Sequence, residues 1–468
     1  MLEYLFLPPL LIFVLSFFDV QKSKKFLPIV SSLILLPTTL LLFSPDHHYW
    51  HDRLMIDDLN KFVLLVSAIV GIGVTLALES LRRHVKISPR HYRRFYRFFA
   101  LFWIGMILSV TANSMGLFWV GLELATLSTV YMIKTNTTPF AHNEAWNYMI
   151  VGTIAISLIL FGIILIYASA KPALGEAAML FTTLKSHIHQ IHSAYLFEIG
   201  FAFVAVGSFI KMGFFPMNLW LANIERAAYY PVAALFSGLL ESAIMTGLFR
   251  FSSLAKELNQ SHLIGFTYIY ALLTLFVVAF LIYRVKDFMR LFSLSGIEHM
   301  VLILIFWVSG GYFAALLHFA AHAFLKPALF ISTGVLESRG KYHIPGALKG
   351  YRGFKGRLFQ ILVALFMLAI ISLPPSPMFF SELFGFSAMI DLAKGSHHLL
   401  LMLLGILMIL ILLSIIFYKF VDVYQAMRYE GQEHPKEVYA GEVGALVLFA
   451  LATLVLLGSF EYIESIGG

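Results

Sequence analysis

Cysteine is absent from the 468 residues of this chain, and charged residues make up only 13% of it. Without thiolates the chain cannot ligate an iron–sulfur cluster or a nickel–iron centre through cysteine, so any redox chemistry that it serves must sit in a partner. The sequence also lacks a glycine-rich phosphate loop, a Walker lysine and a nucleophile elbow, which argues against a pump driven directly by nucleotide. We therefore expect neither a cofactor nor a redox site within the chain itself.

Apolar residues dominate instead. They make up 60% of the chain, and the mean hydropathy is +0.84. Apolar stretches of about 17 to 25 residues recur from end to end, each long enough for a helix to cross a bilayer. Short alternating segments of the kind that form a membrane β-barrel are not seen. The sequence therefore predicts an all-α integral membrane protein with about fourteen transmembrane helices.

The lysines and arginines predict the orientation of these helices. Odd-numbered connections hold about two dozen of them, and even-numbered connections hold about seven. By the positive-inside rule, we expect a multi-pass protein of the inner (cytoplasmic) membrane, with the odd loops in the cytoplasm and both termini outside. This topology accounts for the net charge of +7 without a nucleic-acid partner. The basic segment 82–97 has two possible interpretations, a solvated cytoplasmic loop or a segment that contacts anionic lipid.

Two predicted spans contain prolines that interrupt the helix. Pro216 lies in the seventh span, and Pro374 and Pro375 lie in the twelfth. Such breaks are tolerated in lipid only where protein or water satisfies the freed backbone groups. Because the breaks lie five spans apart, the spacing predicts two inverted five-helix repeats, each with a broken helix. The expected divisions are helices 1–3 with a basic loop (1–97), the first repeat (98–251), the second repeat (263–424) and a C-terminal loop and helix (425–468).

Five ionisable residues fall near the centres of predicted spans: Glu123, Lys211, Glu241, Lys326 and Glu382. A charge at bilayer depth costs at least about 2.5 to 3.5 kcal/mol, so a series of them indicates a function. We expect them to face a polar interior in which a lysine and a glutamate exchange a proton through a few waters.

Histidines extend this series. His318 and His322 are four residues apart, and Lys326 follows after four more, so the three share one helix face. His299 lies beside Glu298 in the tenth span, and we take both as possible additional members. A histidine pair at this spacing is also compatible with zinc, but no further ligands are spaced nearby, and we predict no metal site.

Several motifs together resemble a known family. They are "LFWVGLELATLS", "IKMGFFPMNLWL" followed by "PVAALFSGLL", "KDFMRLFSLSGIEHM", "HFAAHAFLKPALF" and "LPPSPMFFSEL". In this order, over about residues 55 to 425, they look like the antiporter-like proton-translocating subunits of respiratory complex I, Mrp antiporters and membrane-bound hydrogenases. The segments "LELATLS", "SGIEHM" and "FFSE" are most similar to component F of hydrogenase-4.

The resemblance implies roles for individual residues. Glu123 and Lys211 match the family's input pair on the fifth helix and the broken seventh helix. His322 and Lys326 match the polar positions of the eleventh helix that link the half-channels. Glu382 matches the terminal ionisable position on the broken twelfth helix.

Two positions depart from the family pattern. Glu241 stands where many members have a central lysine, and Asn147 stands where many have lysine in "AWKY". These departures leave the completeness of the relay open, and with it the alternative of a scaffold that has lost transport.

The resulting function hypothesis is a proton-translocating subunit that works with other membrane subunits and a soluble hydrogenase-like or quinone-oxidoreductase-like catalytic subunit. In this hypothesis the chain is the translocation subunit of an oxidoreductase and has no redox site of its own. One alternative is the proton-conducting subunit of an inorganic-carbon accumulation complex with a soluble zinc partner. Another is a cation/proton antiporter module, in which sodium would need oxygen ligands near Glu241 or Glu382.

Overall fold

A computed structural model describes residues 2–18, 27–85, 87–258, 261–340, 346–394, 399–429 and 437–467. Its α-helices are α1 (Leu2–Leu15), α2 (Leu35–Leu41), α3 (Asp58–His84), α4 (Pro89–Val110), α5 (Met115–Ile133), α6 (Pro139–Leu174), α7 (Phe181–Ser186), α8 (Ala194–Lys211), α9 (Leu219–Ala227), α10 (Tyr230–Leu235), α11 (Glu241–Glu257), α12 (Ser261–Arg284), α13 (Phe288–Val308), α14 (Tyr312–Gly340), α15 (Gly353–Ile370), α16 (Pro377–Lys394), α17 (Leu399–Tyr429), α18 (Ala440–Gly458) and α19 (Phe460–Gly467). A short antiparallel hairpin pairs β1 (His47–Tyr49) with β2 (Leu54–Ile56), with His47 opposite Ile56.

Eleven helices in the described part of the chain are long and apolar enough to cross a membrane, and two shorter apolar helices lie at Leu2–Leu15 and Leu27–Leu41. The predicted fold class is confirmed: the chain is an all-α, multi-pass integral membrane protein. Helix α4 is not among the eleven because its last 18 residues still contain Arg93, Arg94 and Arg97. The count of fourteen spans stays a prediction.

The basic segment 82–97, expected as a loop, is largely helical. Helix α3 runs to His84, and α4 begins at Pro89 behind Ser88, whose hydroxyl accepts a hydrogen bond from His91 N at 3.3 Å. A serine N-cap followed by proline at the first helical position starts a helix, and arginine is a good helix former. The basic residues predicted for the first connection, at 21–25, lie outside the described residues, as do Lys341 and Lys436.

The chain divides into two compact units. Unit 1 contains Met1–Ala68, Ile87–Ala227 and Leu239–Tyr270, and unit 2 contains Ile69–Lys86, Ala228–Gly238 and Ala271–Gly468. In unit 1, α4 packs against α5 and α6 packs against α8. In unit 2, α14 packs against α13, α16 and α18. Helix α14 is buried on all sides over its most apolar stretch, so the face that carries His318, His322 and Lys326 is enclosed by protein.

Two glycines fix the crossing of α4 and α5 in unit 1. A Cβ added to Gly121 would lie 2.5 Å from Ser109 N and 2.7 Å from Gly105 O, both of which are backbone atoms. Small residues at such a crossing let two membrane helices approach to backbone contact. The crossing sets the rotation of α5 and therefore the direction of Glu123, two residues after Gly121.

Replacing Gly121 by alanine is expected to destabilise the protein. A backbone atom cannot move aside as a flexible side chain can, so the two helices must separate, at a cost of about 1 to 3 kcal/mol. The melting temperature of the detergent-purified protein measures the loss. Gly116→Ala, on the same helix, is the control because its added Cβ meets nothing closer than Ser114 Oγ at 3.7 Å. Equal melting temperatures for the two variants would contradict the close crossing.

The three prolines expected to break helices all lie in gaps between helices. Helix α8 ends at Lys211 and α9 begins at Leu219, while α15 ends at Ile370 and α16 begins at Pro377. The two gaps share one backbone conformation. Gly213 has φ 73° and Ser372 has φ 58°. The next amide in each gap donates to a carbonyl five residues earlier, Phe214 N to Phe209 O at 2.9 Å and Leu373 N to Leu368 O at 3.2 Å.

Candidate functional site

Lys211 lies at the end of α8, at the first helix break, and is only 2% exposed. Its Nζ donates a hydrogen bond to the Tyr148 hydroxyl at 3.1 Å. Tyr148 Oη lies 3.1 Å from Thr129 Oγ1, and Thr129 donates its own proton to Thr126 O at 2.7 Å. Tyr148 therefore donates to Thr129 and accepts from Lys211, so the chain of donors begins at the lysine.

The surroundings of Lys211 combine aromatic rings with a small open space. The Lys211 Nζ lies 4.5 Å from the centre of the Tyr148 ring, and Trp220 of α9 stacks on that ring at 5.1 Å. The Trp220 indole donates to Ile210 O at 2.9 Å, which ties α9 back to the end of α8. A Cβ at Gly152 would lie 3.1 Å from Lys211 Nζ, so the glycine leaves room at the amine.

Glu123 faces a different environment from the lysine that it was expected to pair with. Its side chain is half-buried, and its Oε2 has no hydrogen-bond partner among the described residues. The hydrogen bond of Lys211 goes to Tyr148 and not to this carboxylate. The two residues lie in the same unit but do not form a direct ion pair in this structure.

Glu241 is buried, with 4% exposure, and is the first residue of α11. A π-helical turn, Phe236–Leu240, directly precedes it. Single π-turns inside membrane helices reorient the side chains that follow them and are frequent at functional positions. The turn therefore sets the direction of the Glu241 carboxylate.

In unit 2, two histidines and a serine form a chain across three helices. His299 Nδ1 of α13 lies 3.0 Å from His318 Nε2 of α14, and His318 Nδ1 lies 2.8 Å from Ser381 Oγ of α16. Ser381 gives its hydroxyl proton to Met378 O at 2.7 Å, so it must accept from His318 Nδ1. His318 Nε2 is then an acceptor, and His299 Nδ1 must carry the donated proton. The network thus assigns His318 the neutral Nδ1–H form and places a proton on His299 Nδ1, while His299 Nε2 takes no part in it.

His322 and Lys326 lie further along the same face of α14. The centres of the His322 and His299 rings are 5.7 Å apart, and neither His322 Nε2 nor His299 Nε2 has a hydrogen-bond partner among the described residues. Lys326 is fully buried, and its Nζ donates to Phe292 O of α13. A Cβ added to Gly296 would lie 3.8 Å from Lys326 Nζ and 3.9 Å from His322 Nε2, so the glycine opens space between the two nitrogens.

Glu298 connects this histidine cluster to Glu382. Its Oε1 lies 3.7 Å from His299 Nδ1, and its Oε2 accepts a hydrogen bond from Ser295 at 3.4 Å. Glu298 and Glu382 line one cavity with about 30 Å³ of room, enough for water. Glu382 Oε1 accepts a hydrogen bond from Ser372, the residue with positive φ at the second helix break.

The predicted site residues form two groups. Unit 1 holds Glu123, Lys211 and Glu241, and unit 2 holds Glu298, His299, His318, His322, Lys326 and Glu382. Two contacting residues were missed by the sequence analysis, Tyr148 and Ser381. A tyrosine hydroxyl inside an apolar helix needs a partner, which is the signal that points to Tyr148. Ser381 carries no comparable signal, because serine in a membrane helix usually bonds to its own backbone.

Comparison with known proteins agrees with the family resemblance that the sequence motifs indicated. Residues 112–420 match the family described as NADH:quinone oxidoreductase/Mrp antiporter, TM. The chain is 33% identical over 368 residues to a "Hydrogenase-4 component F homolog" of Methylacidiphilum infernorum, a match that covers 76% of this chain and 75% of that protein.

Two solved structures share the fold. A chain of the membrane-bound sulfane sulfur reductase, an archaeal respiratory membrane complex, superposes with a TM-score of 0.85 at 20% identity and covers 100% of this chain and 96% of that one. A chain of respiratory complex I from Thermus thermophilus superposes with a TM-score of 0.77 at 18% identity and covers 98% and 96%. The family resemblance is confirmed, and the chain belongs to the NADH:quinone oxidoreductase/Mrp antiporter family of membrane subunits.

Proposed function

We propose that this chain is a proton-translocating subunit of a larger, redox-driven membrane complex. The observation that carries the proposal is the series of buried ionisable side chains in both units, Lys211 beside Tyr148 in one and the histidine cluster with Lys326 in the other. A charged group costs at least about 2.5 to 3.5 kcal/mol at bilayer depth. That cost falls when a carboxylate takes up a proton or an ammonium releases one, so such groups are suited to exchanging protons. Family membership supports the same function.

In unit 1, Lys211 and Tyr148 would form the proton-exchanging site. Glu123 would be the carboxylate partner of Lys211 in the input pair. The Tyr148 hydroxyl offers the amine a neutral hydrogen-bond partner, so the lysine is not held by a fixed counter-charge. Gly152 has no side chain, and a Cβ there would lie only 3.1 Å from Nζ, so the glycine keeps α6 from crowding the amine. A change in the protonation of the half-buried Glu123 can then alter the proton affinity of Lys211 through the electrostatic interaction between the two groups.

In unit 2, His299 Nε2 would accept a proton, and His299 Nδ1 would pass one to His318 Nε2 across 3.0 Å. Glu298 offers the route from the histidines towards Glu382, since its carboxylate lies 3.7 Å from His299 Nδ1 and lines the cavity shared with Glu382. Each proton taken by Glu298 leaves through water to Glu382, the exit-side group. His322 and Lys326 would bring protons to the histidine pair from further along α14.

Two features support the predicted inverted repeats. The two helix breaks share a positive-φ position, Gly213 in one and Ser372 in the other, and an amide that donates to the carbonyl five residues earlier, a pattern that also follows α13 at Gly310. A Gly-x-Glu triplet also occurs once within each expected division, at residues 121–123 and 296–298, and a third copy at 431–433 lies outside both. We propose that the expected divisions at 98–251 and 263–424 are these repeats.

We further propose that the subunit assembles with other membrane subunits and a soluble catalytic subunit of hydrogenase or quinone-oxidoreductase type. The proposed location is the inner membrane, with odd-numbered loops in the cytoplasm. One named relative is called a hydrogenase-4 component F homolog, and the two named structures are chains of respiratory membrane complexes, which favours this function over the inorganic-carbon alternative.

A gentle-detergent pull-down of the tagged chain, with mass spectrometry of the bound proteins, tests this proposal. Hydrogenase-like or quinone-oxidoreductase-like subunits are the expected result. A single large soluble zinc protein as the only partner would overturn the redox-driven function and favour the carbon-accumulation alternative.

Ser381→Ala is expected to slow proton movement about fivefold, because the loss of one buried hydrogen bond costs about 1 kcal/mol. Without Ser381 the His318 Nδ1 proton has no fixed acceptor, so the two histidines no longer keep one tautomer. Solid-state ¹⁵N NMR of labelled histidine should show mixed tautomers in Ser381→Ala and a single form in wild type. Ser381→Thr, which keeps the hydroxyl, should restore both the rate and the spectrum. An unchanged spectrum in the alanine variant would contradict the positioning role of Ser381.

A further inference from the structure

We propose that Arg94, Tyr131, Lys134 and Trp146 form a binding site for the headgroup of an anionic phospholipid. These residues come from three helices of unit 1, α4, α5 and α6, at the end where α4 begins, α5 ends and α6 begins. The proposal is independent of proton translocation.

The four side chains converge on one aromatic surface. The guanidinium of Arg94 lies 5.5 Å from the centre of the Tyr131 ring, and Lys134 Nζ lies 5.7 Å from the same centre. Lys134 Nζ also lies 5.8 Å from the centre of the Trp146 ring. Phe98 stacks on Tyr131 at 4.5 Å and holds the ring in place. Two cations therefore flank a single tyrosine that is fixed by packing.

The cations carry no balancing carboxylate. Among the described residues, no acidic side chain forms an ion pair with Arg94 or Lys134, and the nearest acidic residue along α6, Glu144, lies about 200° around the helix from Trp146. Lys134 caps the C-terminus of α5, where a cation is favourable, but Arg94 belongs to another helix and gains nothing from that end. Two unneutralised cations on adjacent helices repel each other unless an anion lies between them.

Two other arginines of α4, Arg93 and Arg97, contact the residues that follow α1. Arg93 Nη1 donates to Phe18 O at 3.3 Å, and Arg97 Nε donates to Ser16 Oγ at 3.4 Å with its guanidinium 3.8 Å from the Phe17 ring. Both bind the end of α1. Arg94 is exposed and, among the described residues, makes no hydrogen bond with the end of α1. It therefore differs from its neighbours Arg93 and Arg97, and its guanidinium lies at the proposed site instead.

The exposure of the aromatic residues matches a membrane–water interface. Trp146 is 54% exposed and Tyr131 is 39% exposed, although both are large and apolar. Tryptophan and tyrosine concentrate where acyl chains meet headgroups, and each basic residue near the surface contributes about 1 kcal/mol to anionic-lipid attraction. A phosphate between Arg94 and Lys134, with its acyl chains along Trp146, satisfies both the charge and the apolar surface.

Brominated lipids test the site, since bromine on an acyl chain quenches only nearby tryptophans. The purified complex is titrated with brominated phosphatidylglycerol and, separately, with brominated phosphatidylcholine. The Trp146 signal is the difference between wild type and Trp146→Phe. We expect phosphatidylglycerol to quench this signal at a concentration about tenfold lower than phosphatidylcholine does.

The double variant Arg94→Gln/Lys134→Gln should remove the preference. The matched control, Arg284→Gln/Lys185→Gln, removes the same two charges from other exposed sites and should keep it. Equal quenching by the two lipids in wild type would overturn the proposal, whatever the variants show. So would the absence of Trp146 quenching in the assembled complex, which would mean that a protein subunit covers the surface. Displacement of the lipid by millimolar inorganic phosphate would show a site for a free anion and also overturn the lipid assignment.

Discussion

Replacing Lys211 by methionine is expected to abolish coupled proton movement, with a loss of about 100-fold or more, while the complex stays assembled. Methionine keeps the length and packing of the side chain but holds no proton, and loss of a proton-transfer group typically costs 10² to 10⁴ in rate. Assembly should survive because the change removes a buried cation, which costs free energy at bilayer depth. The measurement is acidification or alkalinisation of liposomes that contain the purified complex, followed with a pH-sensitive dye while the partner turns over.

Two further variants define the role of Lys211. Lys185→Met, at an exposed position of α7, removes a lysine outside the site and should leave the rate unchanged. Tyr148→Phe removes the hydroxyl that accepts from Lys211 and should slow the rate about fivefold, since the amine loses one buried partner. Wild-type proton movement in the Lys211→Met complex would show that the path bypasses this lysine.

Glu298→Gln is expected to reduce proton movement about tenfold or more in a fully assembled complex. Glutamine has the shape of glutamate and still accepts from Ser295, so packing around the buried side chain is kept. It cannot take a proton, and the link between His299 and the cavity at Glu382 is therefore cut. The same liposome assay measures the loss.

The control for Glu298 is Glu198→Gln, which removes a partly exposed glutamate that pairs with His262 at 3.4 Å. It should move protons at the wild-type rate. Glu298→Asp keeps the carboxyl group on a shorter side chain and should recover part of the activity. Full activity in Glu298→Gln would mean that protons travel from His299 through His318 alone.

Helix type, insertion in a membrane and the positions of the ionisable groups in the candidate site could be predicted from the sequence, but the burial of Lys61, Glu225 and Glu442 was not predicted. Long apolar runs can satisfy their backbone in lipid only as helices, so hydropathy alone predicts the class of fold. Prolines inside such runs predict the gaps at Pro216 and Pro375 for the same reason. The helical start of the basic segment was missed because arginine-rich sequence reads as a loop, although Ser88 and Pro89 signal a helix.

The contacts between helices could not be predicted. The i, i+4 spacing places His318 and His322 on one face, but nothing in that spacing says that His318 meets His299 of α13 or Ser381 of α16. Lys211 was expected to pair with Glu123, yet its hydrogen bond goes to Tyr148 of another helix.

The amino-acid sequence by itself determined that this protein spans the membrane with helices, breaks two of them at prolines and places charges where lipid does not tolerate them. Only the tertiary structure decided which of those charges face one another. The physical reason is that periodicity fixes the face of a single helix, whereas the rotation of one helix against the next depends on close packing. That packing is set at positions such as Gly105 and Gly121, where one methyl group would push two backbones apart.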